Sequence, residues 1–150
     1  MHTLKHELIL RCHQYADSRI ATARQAMSEA QTAANEESKS SVGDKYETGR
    51  SMMQIEGEKA AHQLAEATKL KDLLHRISPE PQNQRIGSGS LVITNTRKIF
   101  ISIGIGKLDL NGEEILVVAP TSPLGKALMG CSVNDSVTFN GESMVITDVA

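Results

Sequence analysis

From Leu4 to about Lys39 the chain contains neither Pro nor Gly, and Ala, Glu, Gln and Arg dominate it. All four are strong helix formers, so one long helix is predicted there. Ala16, Ile20, Ala23, Met27, Ala30 and Ala34 step by four, three, four, three and four. That is the spacing of a heptad seam. Leu8 and Cys12 begin the same stripe slightly out of register. A second run, from about Tyr46 to Ile77, carries Met53, Ala60, Leu64, Ala67, Leu70, Leu74 and Ile77 along one side. Each run is about 32 to 36 residues, or roughly 50 Å of helix. A short polar turn, Ser40-Ser41-Val42-Gly43, separates them. Two equal runs joined in this way predict an antiparallel helical hairpin packed as a coiled coil. Its seam is Ala and Met near the turn and Leu and Ile at the other end. The turn end therefore buries less apolar area and is predicted to be the less stable end.

A narrow seam suits the composition. Among 150 residues there are two Phe, two Tyr and no Trp, too few aromatics to fill a large core. The net charge of -2 argues against a nucleic-acid coat or a polybasic membrane patch. Cys12 and Cys131 have no metal-type spacing and read as small buried hydrophobes in a reducing compartment. No secretory hydrophobic region follows Met1, and the longest apolar run, Ile115 to Ala119, is too short to span a bilayer. A soluble cytoplasmic protein with no membrane partner is expected.

The hydrophobic period changes after the second run. Ser78-Pro79-Glu80-Pro81 ends the helix, because Pro lacks an amide donor and restricts the residue before it. Gln82 to Ser90 reads as a linker. Leu91–Ile93, Lys98–Ile105, Glu114–Ala119, Ser136–Phe139 and Met144–Val149 follow as short β-rich runs. Asn111-Gly112 and Asn140-Gly141 are hairpin-turn signals between such runs. One short helix interrupts them, with Ser122 as N-cap, Pro123 in the first turn and Gly130 closing the C-terminus. The predicted class is α+β: a helical hairpin over 1–78, a linker over 79–90, and a small antiparallel sheet domain with one helix over 91–150.

The chemistry-bearing stretch is the turn, Gly43-Asp44-Lys45-Tyr46-Glu47-Thr48-Gly49-Arg50. Two readings of it stand. Asp44 as N-cap and Glu47 as the third helical residue form a capping box, and acids in a first turn offset the helix dipole. Alternatively, the turn presents two carboxylates at the end of a hairpin. Two carboxylates are too few for a dedicated metal site but suffice to share Mg²⁺ with another macromolecule. Gly49 costs its helix about 1 kcal/mol relative to Ala, a local fault close to the turn.

Other motifs are incomplete. Gly104-Ile105-Gly106 lacks the third glycine of a dinucleotide loop, where Asp109 stands. Gly125-Lys126 is no phosphate loop, with Pro120 and Ala127 at two required positions. His2 and His6 have the i, i+4 spacing of a metal pair but read as solvated, and His13, His62 and His75 read as helix-surface residues. Lys5, Arg11, Arg19 and Arg24 make the first helix somewhat basic, as a solvated face or a phosphate-facing stripe.

Thr121-Ser122-Pro123-Leu124-Gly125-Lys126-Ala127-Leu128-Met129-Gly130, followed by Val133-Asn134-Asp135-Ser136-Val137, resembles a segment of the bacterial Gre-type transcript-cleavage factors, the GreA/GreB family of transcription elongation factors. The family pattern is SPLGKALLGK…VGDEV, and Asn134 here replaces a Gly. Gly43-Asp44-Lys45-Tyr46-Glu47 is similar to the start of the family's tip motif, Gly-Asp-x-x-Glu-Asn-x-Glu-Tyr, while Thr48-Gly49-Arg50 stands where the family has Asn-x-Glu. The resemblance covers nearly the whole chain. It implies an FKBP-like fold for the C-terminal domain and binding to bacterial RNA polymerase, with Ser122, Pro123, Leu124 and Gly125 in the docking segment. It implies that Asp44 and Glu47 enter the secondary channel and share Mg²⁺ with the polymerase, which then cuts the 3′ end of a backtracked RNA. The protein would then be no enzyme by itself. Two other expectations remain: a channel-binding regulator that does not stimulate cleavage, and a coiled-coil adaptor whose tip acids only cap a helix. No isomerase activity is expected, since so few aromatics offer no apolar proline pocket.

Overall fold

The computed structural model describes residues 2–39, 43–81 and 85–150, with the side chains at 2, 37–39 and 43–48 outside the described set. The chain runs α1 (His2–Lys39), α2 (Gly43–His75), β1 (Leu91–Thr94), β2 (Lys98–Ile101), β3 (Gly106–Leu110), β4 (Glu113–Val118), α3 (Pro123–Leu128), β5 (Ser136–Phe139) and β6 (Glu142–Val149). It divides into two compact units, Gln14–Lys71 and a second made of Met1–His13 with Asp72–Ala150.

The Gln14–Lys71 unit is the helical hairpin. The heptad positions behave as their spacing predicts. Ala16, Ala23, Ala30, Ala60 and Ala67 are buried. Ile20, Met27, Met53 and Leu64 flank them half-buried. The Lys71 ammonium meets the Asp17 carboxylate at 3.1 Å, and Ala30 faces Gly57. These pairs are centred on positions 44 and 43.5, so α1 and α2 run antiparallel.

The other unit holds the sheet, in strand order β3-β4-β2-β1-β6-β5. The sheet is mixed. Four neighbouring pairs are antiparallel, but β2 and β4 run parallel, Lys98 opposite Ile115 through Ile101 opposite Val118. This corrects the all-antiparallel expectation. The predicted single run Lys98–Ile105 breaks after Ile101, and the missed strand β3 pairs with β4. Because β3 occupies the antiparallel place beside β4, β4 returns alongside β2 in the same direction.

Both Asn-Gly signals form two-residue turns, Asn111-Gly112 between β3 and β4 and Asn140-Gly141 between β5 and β6. All four residues have positive φ, 56° and 80° in the first and 51° and 78° in the second. That is the type I′ geometry whose twist matches antiparallel strands.

Strand alternation sorts the side chains onto two faces. Val92, Ile99, Ile101, Met144, Ile146 and Val149 join Leu124 and Leu128 of α3 in one core. Leu91, Phe100, Ile115 and Val117 point the other way and are buried too. On that side the Cys12 thiol lies 3.7 Å from the Ser102 hydroxyl, so the start of α1 covers it. Leu8 and Cys12, slightly out of register with the hairpin seam, thus belong to the sheet unit.

The segment read as a linker is partly built into this unit. Ile86 is buried in the α3 core, and its amide donates to the Cys131 carbonyl at 2.9 Å. The Gly89 amide donates to the Ile101 carbonyl. Cys12 is buried as expected whereas Cys131 is only half-buried, and burial pushes the Cys12 thiol up in pKa, with the Ser102 hydrogen bond opposing.

Candidate functional site

The hairpin positions the first candidate. α2 begins at Gly43, earlier than the predicted Tyr46, so positions 44 and 47 lie within its first two turns and one turn apart. Asp44 therefore falls inside the helix rather than at its N-cap. The side chains of Asp44 and Glu47 lie outside the described residues, as does the turn 40–42. Among the described residues no three His, Cys, Asp or Glu side chains converge as a metal site.

Behind this end the seam is loose. Met27, Ala30, Ala34, Met53, Gly57 and Ala61 line an open groove of about 440 Å³. Small residues on both helices leave it unfilled, consistent with the lower apolar burial expected there.

α3 carries the second candidate, and each of its four residues has a local task. Ser122, in extended conformation, caps the helix: its hydroxyl accepts the Gly125 amide at 3.0 Å and donates to the Ala119 carbonyl at 2.7 Å. Pro123 follows as the first helical residue and is exposed. Leu124 is 5% exposed and belongs to the core. Gly125 is buried, and a Cβ there would stand 2.1 Å from the Ala119 carbonyl oxygen. Only glycine allows this helix to lie so close to the preceding backbone. Gly130, with φ of 81°, follows the helix end as its position predicts.

Leu124 also lines a pocket of about 150 Å³ with Leu116, Phe139 and Met144, beside an ion pair between Arg97 and Glu142 at 3.1 Å. The Arg97 hydrogen bond, and then that of Thr96, hold the Glu142 carboxyl below its usual pKa. The pocket is mixed in character, because Arg97, Asn140 and Glu142 line it together with the four apolar side chains. It is smaller than the several hundred Å³ usual for a small-molecule site and has room for one apolar side chain.

The basic stripe of α1 is not continuous. Lys5 has 0% exposure and its ammonium donates to the Glu80 carbonyl oxygen at 3.0 Å. Burial lowers its pKa, with the Glu80 charge pulling it partly back up. Arg19 donates to the Tyr15 hydroxyl at 2.7 Å and lies over the Tyr15 ring. A contact the sequence reading missed joins His13 and His75, whose ring centroids are 5.1 Å apart. Nothing in the sequence spacing around the turn predicted at 40–43 singled this pair out.

No family model matches this chain. No curated protein matches it either. The two candidate segments lie in different units, the tip in the hairpin and α3 in the sheet unit. No helix among the described residues is long and apolar enough to cross a membrane.

Proposed function

We propose that this chain is an accessory factor of bacterial RNA polymerase that stimulates Mg²⁺-dependent cleavage of backtracked RNA. The observation that carries this reading is the hairpin register. Asp17–Lys71 and Ala30–Gly57 pair α1 with α2 in antiparallel register, and Asp44 and Glu47 belong to the first two turns of α2. An acid pair at the end of a helical hairpin suits insertion into a channel too narrow for a globular domain. Asp44 and Glu47 would supply oxygen ligands to a Mg²⁺ held jointly with the polymerase, which orients the attacking water and stabilises the leaving oxygen. The hydrolytic site is then composite, and the free protein is not a nuclease. The FKBP-like identity of the sheet unit is part of the same proposal. Docking is assigned to α3: Pro123 is exposed, Leu124 walls the adjacent pocket, and Ser122 and Gly125 hold the segment in shape.

The test uses stalled, backtracked elongation complexes with and without this protein. Mg²⁺-dependent shortening of the RNA 3′ end, abolished by Asp44→Asn with Glu47→Gln, is expected. No shortening together with competition against a known channel-binding factor would replace this reading by a non-cleaving regulator. Neither effect would leave a coiled-coil adaptor.

A further inference from the structure

The His13–His75 contact has no part in that reading and can be assessed without it. His13 is half-buried on α1 and His75 is exposed near the end of α2, both within the sheet unit. Around them Leu8, Cys12 and Leu74 are fully buried, so both imidazoles rise from well-packed stretches of helix. The rings are tilted by 44° rather than stacked.

We propose that His13 and His75 form a two-imidazole site for a late first-row divalent ion, Zn²⁺, Ni²⁺ or Cu²⁺, that clips α1 to α2. Imidazole nitrogen bonds Zn²⁺ at about 2.0–2.1 Å, and two such rings on one tetrahedral ion have centroids about 5 Å apart. The observed centroid spacing of 5.1 Å matches that value. Ligand type selects the ion: neutral imidazoles favour zinc, nickel and copper, whereas Mg²⁺ prefers oxygen ligands. Each ring binds through one unprotonated nitrogen, and His75's exposure gives the ion an entry path. With no third convergent protein ligand among the described residues, the remaining coordination positions go to water or to a group from outside. Cu²⁺ should bind more tightly than Ni²⁺ or Zn²⁺.

The experiment uses the full chain without an affinity tag, with Zn²⁺ and Cu²⁺ as probes. One Zn²⁺ per chain should bind and raise the melting temperature by several degrees, since a ligand of the folded state stabilises it. Mg²⁺ should give no such shift. Electron paramagnetic resonance of the Cu²⁺ complex should show two imidazole nitrogens. His13→Gln and His75→Ala should each remove one nitrogen and the thermal shift, while circular dichroism without metal stays that of the wild type. His6→Ala should change nothing, which separates this site from the terminal His2/His6 spacing. Absence of binding, binding that survives both single variants, or loss in His6→Ala alone would overturn the proposal. None of these outcomes bears on RNA cleavage, so the two readings can fail separately.

Discussion

Ala30 of α1 and Gly57 of α2 face each other so that a Cβ on Gly57 would lie 3.8 Å from the Ala30 Cβ, an ordinary van der Waals distance. Nothing in the seam therefore demands glycine at 57. Gly57→Ala should stabilise the protein by about 1 kcal/mol, because alanine lowers the entropy cost of the helix and fills part of the groove. Urea denaturation followed by circular dichroism would show a higher midpoint. A lower one would mean that the helices are already at closest approach there.

Gly125 presents the opposite case. Its added Cβ would meet the Ala119 carbonyl oxygen at 2.1 Å, and that oxygen belongs to the backbone. Gly125→Ala should cost about 3 kcal/mol through overpacking. Ser122→Ala, which removes only the cap, should cost about 1 kcal/mol. The ordering of the two variants in a denaturation series is the test.

Lys5 makes stability depend on alkaline pH. Its folded-state pKa is lowered by burial. Between that value and the ordinary lysine pKa the unfolded chain binds more protons, so stability rises with pH across the window and levels off above it. Lys5→Met should remove this rise. It should also leave stability at neutral pH unchanged or higher, since the exposed Glu80 can give its carbonyl to water. Melting temperatures from pH 7 to pH 11 on both proteins would show a steeper gain for wild type.

Asn140 sits in the β5–β6 turn with φ of 51°. Asn140→Ala should cost about 1 kcal/mol, because a left-handed backbone strains a Cβ without a compensating local hydrogen bond. Asn140→Gly should cost little or nothing. Equal losses in the two would show that the Asn side chain, rather than the backbone conformation, holds the turn.

Alternating buried Ala16, Ala23 and Ala30, the two Asn-Gly turns, and the Ser122–Pro123 helix start all depend on residues within about one or two turns of one another. Local spacing and backbone preference are enough to place them. β3 was missed because Gly106-Lys107-Leu108-Asp109-Leu110 has little apolar content, and its strand state comes from pairing with β4.

Sequence alone thus determined the helices, their antiparallel pairing, the two Asn-Gly turns and the caps of α3, since each is specified by neighbours along the chain. Tertiary structure decided the parallel β2–β4 pairing, the burial of Lys5 against Glu80, the pocket beside Leu124 and the meeting of His13 with His75. Those features join residues from 8 to 75 positions apart, some by a strand's placement and others by a helix face. Their energies come from desolvation and close contact, which exist only once the elements have packed.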